Sequence, residues 1–197
     1  MHFLESYALV SGTPISKPFI KVEPIELPSK KYITFHPYCK KAPTRQYRSW
    51  VKVLELLIGD SNFDWEIVQV GGKKDEVYNG VNTDYLGNTS THQLAYLIQN
   101  SGLHLGYDSF PVHLASHFAR NIVAIYNMPP SISGPYFSDP KDVVLLEPEY
   151  PIVTNFVNGR FIEQKARISH SHMDELDLIN TIKPENIYDG VKKLLDF

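Results

Sequence analysis

The sequence contains a single cysteine, Cys39, among its 197 residues. One thiol cannot form an internal disulfide or a cysteine-rich zinc site, so the composition indicates a reducing compartment. No apolar run approaches the roughly 20 residues that a helix needs to cross a bilayer. The first twelve residues lack the basic start of a signal peptide. From these absences we expect a cytoplasmic protein with no transmembrane segment.

The chain also lacks a large excess of positive or negative charge. The chain has 19 basic and 22 acidic residues, which give a formal net charge of -3. This balance provides no basic surface for general nucleic-acid binding and no reason to expect an anionic membrane as partner. Hydrophobic residues make up 43% of the chain and aromatic residues 12%, which is typical of a folded globular protein. We therefore expect a globular protein with no nucleic-acid partner.

The chain divides into two segments by its pattern. Residues 1–30 begin with a short helical stretch that Gly12 ends, and then contain four prolines: Pro14, Pro18, Pro24 and Pro28. Proline fixes φ and blocks regular hydrogen-bond ladders, so this part is predicted to be a helix followed by an extended arm. Residues 31–197 are predicted to form one Rossmann-like domain that ends in an amphipathic C-terminal helix from Pro184.

In the second segment, short β-rich runs alternate with helical patterns. We predict strands at 32–35, 65–70, 85–86, 103–106, 121–126 and 143–146, and helices at 46–58, 90–98, 111–119 and 184–197. The proline-, serine- and glycine-rich segment 127–140 is predicted to be a long loop. Alternating elements with several continuous apolar strands are typical of a mostly parallel sheet covered on both faces. The predicted fold class is an α/β, Rossmann-like domain of three layers.

The most informative junction runs from residue 105 to residue 115. A strand ends at Gly106, a short polar turn follows, and a helix begins near Pro111. The first turn of a helix presents unpaired N–H groups and the positive end of the helix dipole, which together favour a phosphate. Ser109 is expected to cap this helix and to donate its hydroxyl to the anion. His113, one turn further on, is expected to reach the same anion.

Other kinds of chemistry fit this sequence less well. His113 and His117 lie four residues apart on one helix, but no acidic residue accompanies them, so no metal site is expected. The nucleophile motif G-x-S-x-G is absent, because Tyr107 and Pro111 stand where its glycines belong. Gly71-Gly72 is not the dinucleotide fingerprint G-x-G-x-x-G, and no P-loop G-K-[ST] occurs. These patterns exclude NAD-dependent and P-loop nucleotide chemistry.

The segment 106–115, Gly-Tyr-Asp-Ser-Phe-Pro-Val-His-Leu-Ala, resembles the signature G-N-D-S-G-P-M-H-L-A of the heptosyltransferase-like glycosyltransferases, glycosyltransferase family 9. The similarity extends to the strand 121–126, to the segment 86–98, to the strand-end glycines at 70–72, and to Ile-Lys-Pro-Glu at 182–185. It covers most of residues 31–197. The central motif carries the resemblance, because it combines sequence, spacing and order.

The resemblance implies the donor-binding half of a GT-B enzyme that uses a nucleotide-sugar and needs no metal. The donor diphosphate would lie on the helix that starts near Ser109, held by the amides of Ser109 and Phe110 and by His113. Asp108 would face the sugar or shape the turn. Phe110 replaces the family's glycine, so it is expected to narrow the approach to the phosphate site.

Further contacts are implied by the same resemblance. A basic residue after the first strand would neutralise phosphate, and the candidates are Lys40, Lys41 and Arg45. Glu76 or Asp75, after the Gly-Gly turn, would hold the ribose hydroxyls. The backbone around Thr89 and Ser90 would contact the base or the ribose.

A complete GT-B enzyme also has an N-terminal domain that binds the acceptor, whereas about 30 residues precede the first strand here. The chain is then a fragment, a half that needs a partner chain or a second copy, or a reduced descendant. The catalytic base stays unassigned. We expect a glycosyltransferase domain acting toward a glycan or lipid-linked acceptor. The alternatives are a non-catalytic nucleotide or nucleotide-sugar binding module, and a structural homo-oligomer that has lost the ligand.

Overall fold

A computed structural model describes residues 1–38, 46–127, 129–148 and 178–197 in full, and the backbone of 153–157 and 160–164. Six strands form the central sheet: β1 (Tyr32–His36), β2 (Glu66–Gly71), β3 (Thr83–Leu86), β4 (Leu103–Tyr107), β5 (Asn121–Ile125) and β6 (Val143–Leu146). All neighbouring pairs are parallel, in the order β3-β2-β1-β4-β5-β6. The predicted α/β, Rossmann-like class is confirmed.

Six helices accompany these strands: α1 (Phe3–Ser11), α2 (Trp50–Gly59), α3 (Thr91–Asn100), α4 (Phe110–His117), α5 (Pro130–Ser133) and α6 (Pro184–Leu195). Helices α2 and α6 cover one face of the sheet, and α3 and α4 cover the other. The result is a three-layer domain. Within the described ranges, no helix is both long and apolar enough to cross a membrane.

The core follows from the alternation of side chains along the strands. Ile33 and Phe35 of β1 face α2, where the Phe35 ring meets Trp50 edge-to-face at 5.2 Å between ring centroids. Thr34 and His36 of the same strand lie on the opposite face, because successive side chains alternate. That second face is packed mainly by the inner side chains of α3, α4 and β5: Ala95, Ile98, Val112, Leu114, Ala115, Ile122 and Ala124.

Helix α6 is tied to α2 by a polar cluster as well as by apolar contacts. Tyr188 donates its hydroxyl to Asp60 at 2.5 Å, and the Lys192 ammonium group lies 2.9 Å from the same carboxylate. These hydrogen bonds, led by that of Tyr188, lower the pKa of Asp60. Helix α6 is therefore anchored to the C-terminal end of α2.

The N-terminal helix and arm lie against the domain. Helix α1 has a His2 capping box and ends at Gly12, whose φ of 67° is the left-handed value that glycine tolerates, as the sequence predicts. Further along, the Glu23 amide donates to the His92 carbonyl at 3.1 Å, and Tyr85 donates its hydroxyl to the Glu26 carbonyl at 2.7 Å. The division of the chain at residue 30 stays a prediction.

Several boundaries differ from the sequence-based prediction. Helix α2 begins at Trp50 rather than at residue 46, and α4 spans Phe110–His117 rather than 111–119. The predicted loop 127–140 contains the short helix α5. An antiparallel pair, β7 (Val153–Val157) and β8 (Arg160–Gln164), was not predicted. Its sequence signal is Asn158-Gly159, the dipeptide most typical of a two-residue hairpin connection.

Candidate functional site

The crevice between β1 and β4 is the topological switch point of the sheet. The chain leaves β1 toward α2 on one face, and leaves β4 toward α4 on the other face. His36 at the end of β1 is paired in register with Gly106 near the end of β4. In open α/β sheets, ligands bind at such a point, outside the carboxyl ends of the strands.

Ser109 lies at the mouth of this crevice, immediately before α4. Its hydroxyl donates to the Tyr107 carbonyl at 2.9 Å and lies 3.0 Å from His36 Nδ1. Because the single hydroxyl proton goes to Tyr107, His36 Nδ1 is the donor in the second contact. The expectation that Ser109 caps the helix is wrong, since its side chain makes no cap hydrogen bond. The first turn of α4 is left without a side-chain cap.

Phe110 begins α4 and does not fill the crevice. Its side chain is 52% exposed and lines a neighbouring cavity together with His113. The next residue, Pro111, is buried and has no N–H to satisfy. The sequence predicts that Phe110 narrows the approach to the phosphate site. In the structure, the Phe110 side chain is not buried over that approach.

His113 is exposed on the first turn of α4. Desolvation of the ring by the surrounding side chains, and secondly the charge of His2, lowers the pKa of His113. Its imidazole is therefore predominantly neutral at neutral pH, and its role toward an anion is that of a hydrogen-bond donor rather than a full cation.

Asp108 links two segments around the start of α4. Its amide donates to the Ile125 carbonyl at 3.0 Å, and its carboxylate accepts a hydrogen bond from Ser133 at 3.3 Å. Burial, and secondly the charge of Asp108, raises the pKa of the Tyr126 hydroxyl. The carboxylate thus holds the turn in place against α5.

A buried histidine lies beneath the crevice. His104 Nδ1 is 3.0 Å from the Thr34 hydroxyl, and no hydrogen-bond partner of its Nε2 is found among the described residues. Burial, with a smaller contribution from His36, lowers the pKa of His104 to about 3. A Cβ on Gly106 would lie 2.6 Å from the His36 carbonyl oxygen and 3.2 Å from His104 Nε2. Glycine at 106 therefore lets β1 and β4 meet with both histidines on one face.

The Gly-Gly turn after β2 places its two acidic residues differently. The Asp75 carboxylate accepts from the Gly72 amide at 2.6 Å, so it stabilises the turn itself. Glu76 is held through its backbone, because Tyr38 accepts from its amide and donates to its carbonyl, both at 3.0 Å. Glu76 lines a cavity of about 550 Å³ with Tyr38, Arg48 and Lys74. Glu76 therefore borders a cavity, whereas the Asp75 carboxylate is engaged in the turn.

Thr89 and Ser90 lie apart from the crevice. They precede α3, which follows the edge strand β3, and two strands separate β3 from β4. Three interstrand spacings amount to about 14 Å. The Ser90 hydroxyl accepts from the Gln93 amide at 3.1 Å and lies 3.4 Å from the Glu23 carboxylate. The predicted capping box of α3 is confirmed.

The remaining candidates, Lys40, Lys41 and Arg45, lie outside the described residues. Two residues escaped the sequence analysis: His36, which contacts Ser109, and Tyr38, which holds Glu76. The available signal was their position, since both follow directly on the apolar run of β1, where a parallel strand meets a ligand crevice. Among the described residues, no three His, Cys, Asp or Glu side chains form a group that could hold a metal.

The fold and this crevice define a Rossmann-like domain in which a helix without a side-chain cap starts at the switch point of the sheet. The family model for glycosyltransferase family 9 (heptosyltransferase) matches residues 7–155, and the chain belongs to that family. A search of curated proteins finds no match.

Solved structures with the same fold include three glycosyltransferases. ADP-heptose LPS heptosyltransferase II of E. coli is 17% identical with a TM-score of 0.57, and the match covers 98% of this chain and 51% of that one. A family 9 glycosyl transferase from Veillonella parvula is 16% identical with a TM-score of 0.59, covering 98% and 51%. The dodecameric, iron-containing heptosyltransferase TibC, solved with ADP-D-beta-D-heptose, is 13% identical with a TM-score of 0.67, covering 99% and 54%. The chain spans about half the length of these structures.

Proposed function

We propose that this chain binds a nucleotide-sugar and acts as the donor half of a glycosyltransferase. The observation that carries the proposal is the start of α4, which has no side-chain cap and lies beside His36 in the switch-point crevice. The amides of Ser109 and Phe110 and the positive helix end would hold the diphosphate. His113 would add its ring N–H group to the same anion, and His36 would hold the Ser109 hydroxyl beside it.

The nucleoside would extend from this anion toward Glu76. Only Pro37 separates His36 from Tyr38, and two residues of extended chain span about 7 Å, the scale of a diphosphate. Tyr38 and Tyr78 line the cavity that Glu76 borders, with ring centroids 5.8 Å apart. The Glu76 carboxylate would accept from the ribose hydroxyls, and the tyrosine rings would contact the base. Thr89 and Ser90 as base or ribose contacts stay a prediction, and they follow β3, whose end lies beside the Gly-Gly turn.

Transfer would be direct, with the negative charge of the leaving diphosphate stabilised by the α4 helix start. Lys41 and Arg45 remain proposed cations for the same charge. Asp108 would shape the turn, as its contact with Ser133 supports. The proposal includes a cytoplasmic location, supported by the single cysteine.

The acceptor, a glycan or a lipid-linked molecule, and the catalytic base would come from another half. The chain spans about half the length of its structural relatives. The other half would lie in the remainder of a longer protein, in a partner chain or in a second copy.

Calorimetry with a panel of UDP-, GDP-, ADP- and CMP-sugars tests the proposal. We expect one nucleotide to bind with the diphosphate contributing most of the affinity, so that the nucleoside monophosphate binds at least about tenfold more weakly. A folded chain that binds none of the four would contradict the proposal. The parent nucleosides serve as the control, because they lack the anion.

A second candidate is a non-catalytic module that binds the nucleotide-sugar and transfers nothing. The observation that favours it is the set of described groups at the α4 start, Ser109 and His36, which offer contacts for binding. Donor hydrolysis or transfer, followed by chromatography of the released nucleotide, separates the two functions. Release above that of a Ser109→Ala variant supports the enzyme, whereas tight binding with no release supports the module.

A further inference from the structure

A second cavity lies against the other side of α4. Its volume is about 380 Å³, and its walls come from α1, the arm, α4 and the segment after α5. Phe110 and His113 line it, so it shares the first turn of α4 with the proposed diphosphate site. A ligand in this cavity would lie next to whatever the α4 helix start binds.

The walls of the cavity are aromatic and carry no fixed charge. The lining residues include Phe3, Phe110, Tyr136 and Phe137, and none of the described residues that line it is Asp, Glu, Lys or Arg. The His2 and Tyr136 rings meet at 4.8 Å, and Tyr136 meets Phe137 edge-to-face at 5.4 Å. Aromatic edges and faces at these spacings favour another ring over an alkyl chain.

The polar side chains in the walls are imidazoles and hydroxyls, from His2, His113, His117, Ser116, Ser133 and Tyr136. Surrounding side chains lower the pKa of both His113 and His117, with His2 and Lys17 as the second causes, so these rings are predominantly neutral at neutral pH. Neutral imidazoles exchange hydrogen bonds with hydroxyl groups without attracting a counter-ion. The occupant with matching chemistry is uncharged and carries both a ring and hydroxyls.

The volume of the cavity sets a further limit on its ligand. A dry cavity of about 150 Å³ is large enough for benzene. The volume of about 380 Å³ therefore accommodates one ring with additional atoms attached. Because His113 lies on the first turn of α4, the attached hydroxyl-bearing group would point toward the crevice.

We infer that this cavity binds the aromatic ring of a small neutral aryl glycoside, with the glycoside hydroxyls at His113. Binding to the cavity stands independently of nucleotide binding. The role of such a molecule as the acceptor side of a transfer rests on the proposed function.

Phenyl β-glucoside is the probe, and methyl β-glucoside is the control that lacks the ring. By ligand-observed NMR titration we expect the phenyl compound to bind at least about tenfold more tightly, because the ring buries apolar area in the cavity. Equal binding of the two glucosides, or no binding of either, would overturn the inference.

Two matched variants locate the binding. Leu4→Trp places a large side chain in the cavity wall, whereas Leu9→Trp makes the same change where α1 is 74% exposed and does not line this cavity. Helix α1 buries none of its residues, so neither change disturbs the core. We expect Leu4→Trp to weaken phenyl glucoside binding at least about tenfold and Leu9→Trp to change it less than about twofold. Equal effects of the two variants would contradict the assignment.

A second measurement does not depend on the variants. Nuclear Overhauser contacts from the phenyl protons should reach Phe110 and Phe137, and contacts restricted to Tyr38 and Tyr78 would overturn the assignment. A titration with saturating ADP tests adjacency: simultaneous binding of both ligands supports it, and mutual exclusion contradicts it. A chain that binds phenyl glucoside but no nucleotide would refute the donor function and leave the cavity assignment standing.

Discussion

Helices α3 and α4 cover the same face of the sheet, and a serine directly precedes each, yet the two helix starts are built differently. At α3, Ser90 caps the helix, and its own amide donates to the Gln93 side-chain oxygen at 2.9 Å. At α4, Ser109 turns its hydroxyl to Tyr107 and His36, and no side chain caps the helix. The first turn of α3 has a side-chain cap, and the first turn of α4 has none.

The difference has a simple origin in sequence. Three residues after Ser90 stands Gln93, which completes a capping box, whereas three residues after Ser109 stands Val112, which cannot. His36 then offers Ser109 a partner outside the helix. The same residue type thus caps one helix and, in the proposed function, helps to form a ligand site at the other.

The largest expected effect concerns His104, the buried histidine beneath the crevice. Burial holds the pKa of His104 at about 3, so the unfolded chain takes up a proton first as the pH falls. Stability is therefore lost as the pH drops from about 6.5 toward 3, by up to about 1.4 kcal/mol per pH unit.

Urea unfolding of the parent and of His104→Gln, at about pH 7.5 and about pH 5, measures this loss. We expect the variant to lose less stability between the two conditions than the parent does. His92→Gln, an exposed change on α3, is the control and should keep the parental difference. Identical pH dependence in all three proteins would argue against a neutral, buried His104.

The next effect separates the two helix starts by ligand binding. Replacing Ser109 and His113 together by alanine should weaken nucleotide diphosphate binding by about 1–3 kcal/mol, the scale of lost charge-assisted hydrogen bonds. The matched double variant replaces Thr91 and His92 by alanine in the first turn of α3 and should leave binding unchanged. Calorimetry measures the change in binding free energy for both variants, with the nucleotide that binds the parent chain in the panel described above. Equal losses at the two helices would remove the anion site from α4.

The smallest effect is the converse change in stability. Ser90→Ala removes the cap of α3 and should lower the free energy of unfolding by about 0.5–2 kcal/mol. Ser109→Ala removes no cap and should cost less. Urea denaturation of the two single variants compares them directly, and a larger loss for Ser109→Ala would show that this hydroxyl matters more for folding than for recognition.

The sequence was sufficient for the parallel sheet, the α3 capping box and the place of the α4 junction, because each depends on residues close together in the chain. It missed the partner of Ser109, since His36 lies 73 positions away and only the register of β1 on β4 brings the two together. It left Glu76 and Asp75 as alternatives, because the choice depends on a hydrogen bond from Gly72 that spacing does not reveal. Lys41 and Arg45 stay predictions.

The attachment of α6 has a consequence for how the chain reaches its native state during synthesis. Ile187 and Val191 of α6 cover the same apolar face that Ile33 and Phe35 present, so a ribosome must translate most of the chain before that face closes. Contacts of such sequence separation slow folding and leave apolar surface open to aggregation meanwhile. The hydrogen bonds of Asp60 to Tyr188 and Lys192 likewise form only after those two residues have left the ribosome. Completion of this half of the core is therefore a late, post-emergence event.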